Sequence, residues 1–185
     1  MTCIVGLEHK NKVYLGCDSV ASDGYVKYAI HGSKIFTTGP LTIGYTSSFR
    51  FADILQYDLN LPLRTENDGD DRKFLVSVVV KTIREALSKG GFNHINNSKE
   101  SGGTCLIAYK NKLYKMQDDY SITKTDDGYD SCGSGSYFAL GALAATQGKS
   151  TPIFLPKDRV KVAIEAAIKH CATVTGPVHI VECKL

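Results

Sequence analysis

Two apolar-rich runs open the chain, residues 2–8 and 13–20, separated by the polar stretch His9-Lys10-Asn11-Lys12. Their alternation has the period of β-strands, and the short polar link is that of a hairpin. This pairing ties the start of the chain to a sheet and brings Asp18 back beside Thr2. A glycine-containing loop with Tyr25 and Tyr28 spans 21–33, and a second hairpin, 34–38 with 41–46, turns at Gly39-Pro40. Ser47-Ser48 supplies an N-cap for a helix over 49–59. A polar linker precedes a helix at 71–89, where Phe74, Leu75, Val78, Val79, Ile83 and Leu87 make one apolar face. A loop covers 90–103, and strands follow at 104–109, 113–116 and 121–123. Gly133-Ser134-Gly135-Ser136 leads into a helix at 137–146, Pro156 opens another at 157–172, and residues 178–183 close as a strand. Helices gathered in pairs between runs of antiparallel strands indicate α+β with layered sheets.

At 185 residues and 20.1 kDa the chain suits one domain, residues 1–185, able to bury about 70% of its unfolded surface. A net charge of +3 spread along the sequence argues against nucleic acid as a partner. No apolar run reaches the roughly 18 residues of a membrane span, and no basic, apolar leader is seen, so no membrane association and a cytoplasmic location are expected. The six cysteines contain no Cys-x-x-Cys pair and the five histidines are dispersed, so buried reduced thiols are expected and no metal is assigned. Asp126, Asp127 and Asp130 read as a solvated turn.

The chemistry concentrates at the start. The small side chain of Thr2 permits removal of Met1 by methionine aminopeptidase, leaving a hydroxyl nucleophile and a free α-amine on one residue. With a reference pKa of roughly 7.7–8.0, that amine can accept the hydroxyl proton near neutrality. A lysine ammonium close by favours the deprotonated forms, and a carboxylate holds the lysine, roles that suit Lys34 and Asp18. Cys3 could replace Thr2 as an N-terminal nucleophile only if Thr2 were also removed. Gly133-Ser134-Gly135-Ser136 lacks the Gly-Lys-Ser/Thr ending of a phosphate loop and reads as a helix-entry turn.

Thr2-Cys3-Ile4-Val5, Gly16-Cys17-Asp18-Ser19, Gly24, Lys34-Ile35, Ile43-Gly44-Tyr45 and Gly133-Ser134-Gly135-Ser136 together resemble proteasome β-subunits and their bacterial counterpart HslV. These are threonine peptidases of the N-terminal-nucleophile (Ntn) hydrolase superfamily. The resemblance runs from Thr2 almost to the C-terminus, with the Thr2–Asp18–Lys34 intervals matching without a gap. It implies a four-layer αββα sandwich, with Thr2 as nucleophile and its amine as base. Lys34 would tune the amine, Asp18 would anchor Lys34, and the Ser48 N–H, or failing it Ser47, would face the oxyanion. Ser134 and Thr175 would support the proton network. Two departures stand out: Ser48 replaces a glycine, and Ala172 stands where the family carries an acidic residue. The pocket for the residue before the scissile bond would be lined by Ala21, Gly32, Thr46 and Arg50. Arg50 would select acidic side chains if it points inward, and would take no part if it points to solvent. The resemblance further implies no cofactor, a homo-oligomeric ring around the active sites, and an AAA+ ATPase partner delivering unfolded chains. Two other readings stay open: a non-catalytic ring or assembly subunit, and an Ntn amidohydrolase acting on a small amide.

Overall fold

The computed structural model describes residues 2–22, 25–147 and 154–183. The chain begins with β1 (Ile4–His9) and β2 (Lys12–Cys17), then β3 (Val20–Ser22) and β4 (Lys27–Ala29), then β5 (Ile35–Thr38) and β6 (Leu41–Tyr45). Helix α1 (Phe49–Asp53) runs into a π-helical turn, Ile54–Asp58. Helix α2 (Asp71–Phe74), a π-helical turn at Leu75–Val79 and α3 (Val80–Lys89) are continuous, so the sequence-expected helix at 71–89 is interrupted only in its hydrogen-bond register. A small hairpin, β7 (His94–Asn96) with β8 (Lys99–Ser101), precedes β9 (Cys105–Tyr109), β10 (Lys112–Met116), β11 (Ile122–Thr123) and β12 (Tyr129–Cys132). Helices α4 (Ser136–Ala145) and α5 (Pro156–His170) and strand β13 (His179–Cys183) complete the fold.

Two antiparallel sheets form the centre, one ordered β12-β1-β2-β13 and the other β11-β10-β9-β6-β5. Their tightest hairpins share one turn chemistry. Lys10-Asn11 and Lys110-Asn111 both place two consecutive residues at positive φ, the geometry of a two-residue turn that matches strand twist, which asparagine tolerates well. β1 shows how the sequence uses both sides of a strand. Cys3, Val5 and Leu7 pack with Ala163, Ile164 and Ala167 of α5. Ile4 packs with Leu106, Ala108 and Leu113 of the other sheet. Gly6 and Gly44 let the two sheets approach, because a Cβ at Gly6 would meet Leu113 Cδ1 at 2.6 Å and one at Gly44 would meet Ile4 Cγ2 at 2.6 Å. A third apolar cluster joins the second sheet, through Leu41, Ile43 and Ile107, to Phe51, Phe74, Ile83 and Leu87 of the first helical group.

The architecture is α+β, as the element order indicates. Three details differ from the sequence reading. The segments 21–33 and 90–103, expected as loops, each hold short paired strands. β12 was not expected either, since Tyr-Asp-Ser-Cys lacks strand-like alternation. It pairs with β1 through Ile4↔Cys132 to Leu7↔Tyr129, and its Asp130 is compensated by Lys115 Nζ at 3.1 Å. Met1 and Gly24 lie outside the described residues.

Candidate active site

β1 and β2 run antiparallel with Ile4 opposite Cys17, so Asp18 emerges from the sheet directly beside the chain start. Its carboxylate is fully buried and engaged on both oxygens. Oδ1 accepts from Cys3 N at 2.9 Å and Oδ2 from Val20 N at 3.3 Å. Lys34, one residue before β5, places Nζ 3.0 Å from each of those oxygens. The same Nζ donates to Thr2 Oγ1 at 3.1 Å. Thr2, Asp18 and Lys34 are all buried, with relative exposures of 6%, 0% and 1%. An ion pair so enclosed persists because its hydrogen bonds are satisfied and its partners are close. Asp18 therefore has two structural effects: it holds Lys34, and through Cys3 N it fixes the backbone next to Thr2.

The other side of Thr2 is set by the junction between β12 and α4. Thr2 N donates to Ser134 Oγ at 3.2 Å, and Gly135 N donates to Thr2 O at 3.2 Å. Gly133 has φ of +95°, and any Cβ there would collide with the Thr2 carbonyl, so the turn requires glycine. Ser134 Oγ also lies 2.9 Å from Thr173 Oγ1. Thr175 touches the region through its carbonyl oxygen, which accepts from Ser19 N at 3.1 Å. Ala172 is exposed. The hydroxyl next to Ser134 thus comes from Thr173, a residue without an individual signal in the sequence.

A cavity of about 270 Å³ opens over the threonine, lined among others by Thr2, Ala21, Lys34, Thr46, Ser47 and Ser48. Ser48 is extended, with φ −139° and ψ 148°, and its side chain caps α1 by accepting from Arg50 N at 3.1 Å. Its own N–H donates to Thr46 O at 3.0 Å. That bond closes a tight turn on Ser47, which carries the left-handed φ of +72°, so the unusual backbone conformation falls one residue before Ser48. Ser47 Oγ accepts from Thr104 N at 3.2 Å, helping to hold that conformation.

The expected pocket residues separate. Ala21 and Thr46 line the cavity with Thr2, although Thr46 Oγ1 is engaged with Thr104 O at 2.8 Å. Gly32 lines a neighbouring cavity of about 570 Å³, which shares Tyr45 and Phe49 with the first. Arg50 is turned away, donating through Nη2 to Gly90 O at 3.1 Å at the end of α3. A larger cavity, about 1010 Å³, is lined by Pro40, Leu61, Leu63 and Phe74 and holds none of these residues.

Burial, and secondarily Asp18, pushes the Cys3 thiol up to about 12, which makes it a poor nucleophile near neutrality. Among the described residues no cluster of His, Cys, Asp or Glu is arranged to hold a metal ion. No helix of the described residues is long and apolar enough to cross a membrane.

No family model matches the chain, and no curated protein is similar to it in sequence at a significant level. Solved structures do match over nearly its whole length. Thiobacillus denitrificans BPH in complex with epoxomicin superposes with a TM-score of 0.78 at 19% identity, covering 99% of this chain and 98% of that one. Eukaryotic HslV from Trypanosoma brucei gives 0.71 at 15% identity, covering 97% and 98%. Anbu, an ancestral beta-subunit from Yersinia bercovieri, gives 0.65 at 13% identity, covering 97% and 80%. At these identities the likeness is one of fold, and the chain has the proteasome-β/HslV-like fold of the Ntn hydrolases.

Proposed function

We propose that this chain is a threonine-type peptidase subunit whose nucleophile is Thr2, exposed when Met1 is removed. The observation that carries this reading is the single Lys34 ammonium shared between Thr2 Oγ1 at 3.1 Å and both Asp18 oxygens at 3.0 Å, at the floor of a cavity. On processing, the Thr2 nitrogen that now contacts Ser134 Oγ becomes an α-amine. The hydroxyl proton passes to that amine as Oγ1 attacks the carbonyl carbon of a peptide bond. Lys34 stabilises the negative charge that develops on Oγ1. The resulting ammonium gives a proton to the leaving amine, and a water activated by the same base hydrolyses the threonine ester. The backbone around Ser47 and Ser48 borders the cavity where the oxyanion forms. The Ser48 N–H can serve it once it exchanges its bond to Thr46 O for the substrate.

The three apolar clusters, one between the sheets and one on each outer side, favour the four-layer αββα arrangement in a single domain spanning 1–185. The fold likeness to HslV and Anbu supports a homo-oligomeric ring of such subunits working on peptides or unfolded protein, with an AAA+ ATPase as a partner to seek. The engagement of Ser48 N–H favours one competing reading, a subunit of the same fold with weak or no activity.

The decisive experiment uses Met1-free protein. Thr2→Ala should abolish cleavage of casein or fluorogenic peptides while leaving thermal stability and assembly unchanged. An epoxyketone such as epoxomicin, found with the T. denitrificans protein, offers one electrophilic carbon to the hydroxyl and another to the amine. It should add its mass to the peptide that begins at Thr2. Undiminished turnover in the pure Thr2→Ala protein would overturn this reading.

A further inference from the structure

The hydrogen bonds on the amine side of Thr2 do not end at Ser134. Ser134 Oγ is 2.9 Å from Thr173 Oγ1, and Thr173 Oγ1 is 3.3 Å from Cys171 Sγ. Cys171 caps the end of α5, its N–H donating to Ala167 O at 2.8 Å, and it is only partly buried. Three side chains therefore form a continuous file from the Thr2 nitrogen to a thiol. No carboxylate takes part in this file, and the residue between Cys171 and Thr173 is the exposed Ala172.

We propose that Thr173 and Cys171 are positioning residues for the proposed reaction, with the Cys171 sulfur as the terminal acceptor that orients the hydroxyls toward and away from the Thr2 amine. The inference rests on the peptidase reading of Thr2. Ser134 has one hydrogen to give and two acceptors within reach, Thr173 Oγ1 at 2.9 Å and Thr2 O at 3.3 Å. A thiolate at Cys171 draws the Thr173 hydrogen toward sulfur. Thr173 oxygen then accepts from Ser134, and the Ser134 lone pairs are left facing the amine. When the hydroxyl proton of Thr2 arrives on the amine, the ammonium donates to Ser134 and its charge is balanced along the file. No proton leaves the network and no bond is made to sulfur. A neutral thiol removes the fixed direction and frees Ser134 to donate to Thr2 O instead.

Of the six cysteines, five are held in the thiol form. Burial pushes Cys3 and Cys105 up to about 12 and Cys183 to about 11, and it also raises Cys17 and Cys132. Cys171 moves the other way. Burial raises it, but the hydrogen-bonding groups of Thr173, its hydroxyl foremost, outweigh that and bring it below its ordinary value. Among the described residues, Asp18, itself paired with Lys34, opposes charge on Cys171, Cys3 and Cys171 act on each other, and His170, the residue before Cys171, stacks on Phe138.

The test measures two quantities on Met1-free protein: the pH-dependence of acetylation at the Thr2 amine, and the pH profile of peptide hydrolysis. A negative neighbour stabilises the ammonium, so Cys171→Ser should lower the apparent pKa of the amine and move the acid limb of the activity profile to lower pH. A positioned proton acceptor is worth about 10²–10⁴-fold in rate, and a residue that orients it at a distance is expected to carry about tenfold of that in kcat with KM unchanged. Cys171→Asp should restore both readouts, and Thr173→Val should reproduce the loss with the thiol intact. Brief iodoacetamide treatment should label Cys171 ahead of the other five and lower kcat in the same way. Normal amine titration and kcat in both Cys171→Ser and Thr173→Val would overturn the proposal. If the wild-type protein cleaves no peptide, the amine titration still decides it, so failure here is distinct from failure of the peptidase reading.

Discussion

Lys34 is among the largest fully buried side chains of the protein, and its charge is balanced by Asp18. Breaking a buried pair from one side leaves the other charge enclosed, so Lys34→Ala should cost about 3–5 kcal/mol and nearly all activity. Asp18→Asn keeps an acceptor for only one of Cys3 N and Val20 N and leaves the Lys34 charge enclosed without its counter-ion, so it should cost stability on the same scale and lose most activity because the ammonium is no longer held. The double variant should be no less active than Lys34→Ala and more stable than it, since the unpaired carboxylate is gone. Chemical denaturation and peptide assays on the four proteins check this. Additive losses in both measurements would assign the two residues separate roles. Asp18 was legible beside Thr2 from the opening hairpin, whereas Lys34, which follows the β3–β4 pair, was legible from its charge and from the family resemblance. Arg50 was not, because whether a helix-surface guanidinium enters a cavity or reaches Gly90 O depends on where α3 ends.

The junction of β12 with α4 is the element that seats Thr2, and glycine makes it possible. Gly133→Ala would force a Cβ against the Thr2 carbonyl at a φ of +95°. It should cost about 1–3 kcal/mol and lower activity sharply by displacing Thr2, the proposed nucleophile. Gly141, in the middle of α4, faces open space and is exposed. There the same substitution should raise stability by about 0.4–1 kcal/mol with activity intact. Denaturant midpoints and turnover of the two variants make the comparison, and equal effects would mean that the turn tolerates a side chain. The helices at 71–89 and 157–172 were readable from apolar periodicity, the latter also from Pro156, and those at 49–59 and 137–146 from the serine cap and the glycine-serine turn before them. β12 was hidden because its Asp130 is acceptable in a strand only beside Lys115, fifteen residues away. The π-helical turns after α1 and α2 were hidden too, since they preserve the apolar face while changing only which carbonyl each N–H meets.

As a whole, the chain leaves apolar side chains at its surface, including Tyr137 and Phe138 on α4 and Leu155 before α5. Native mass spectrometry of the purified protein should give a closed multiple of the 20.1 kDa protomer. A monomer at micromolar concentration would remove the ring from the proposal while leaving the chemistry of Thr2 to its own test. By itself the sequence determined the α+β class, the opening hairpin and the Thr2–Asp18–Lys34 constellation. The first two follow from short-range signals, a short polar turn and the periods of strands and helices, and the third from side-chain chemistry together with the family whose residues these resemble. Only the tertiary structure decided that Thr173 is the hydroxyl beside Ser134, that Cys171 ends the file behind it, and that Ser48 donates its N–H within its own turn. Those outcomes depend on how the end of α5 comes to rest against the β12–α4 junction and how β6 meets β9. Contacts between segments dozens of residues apart are set by packing of the whole core, and no local pattern encodes them.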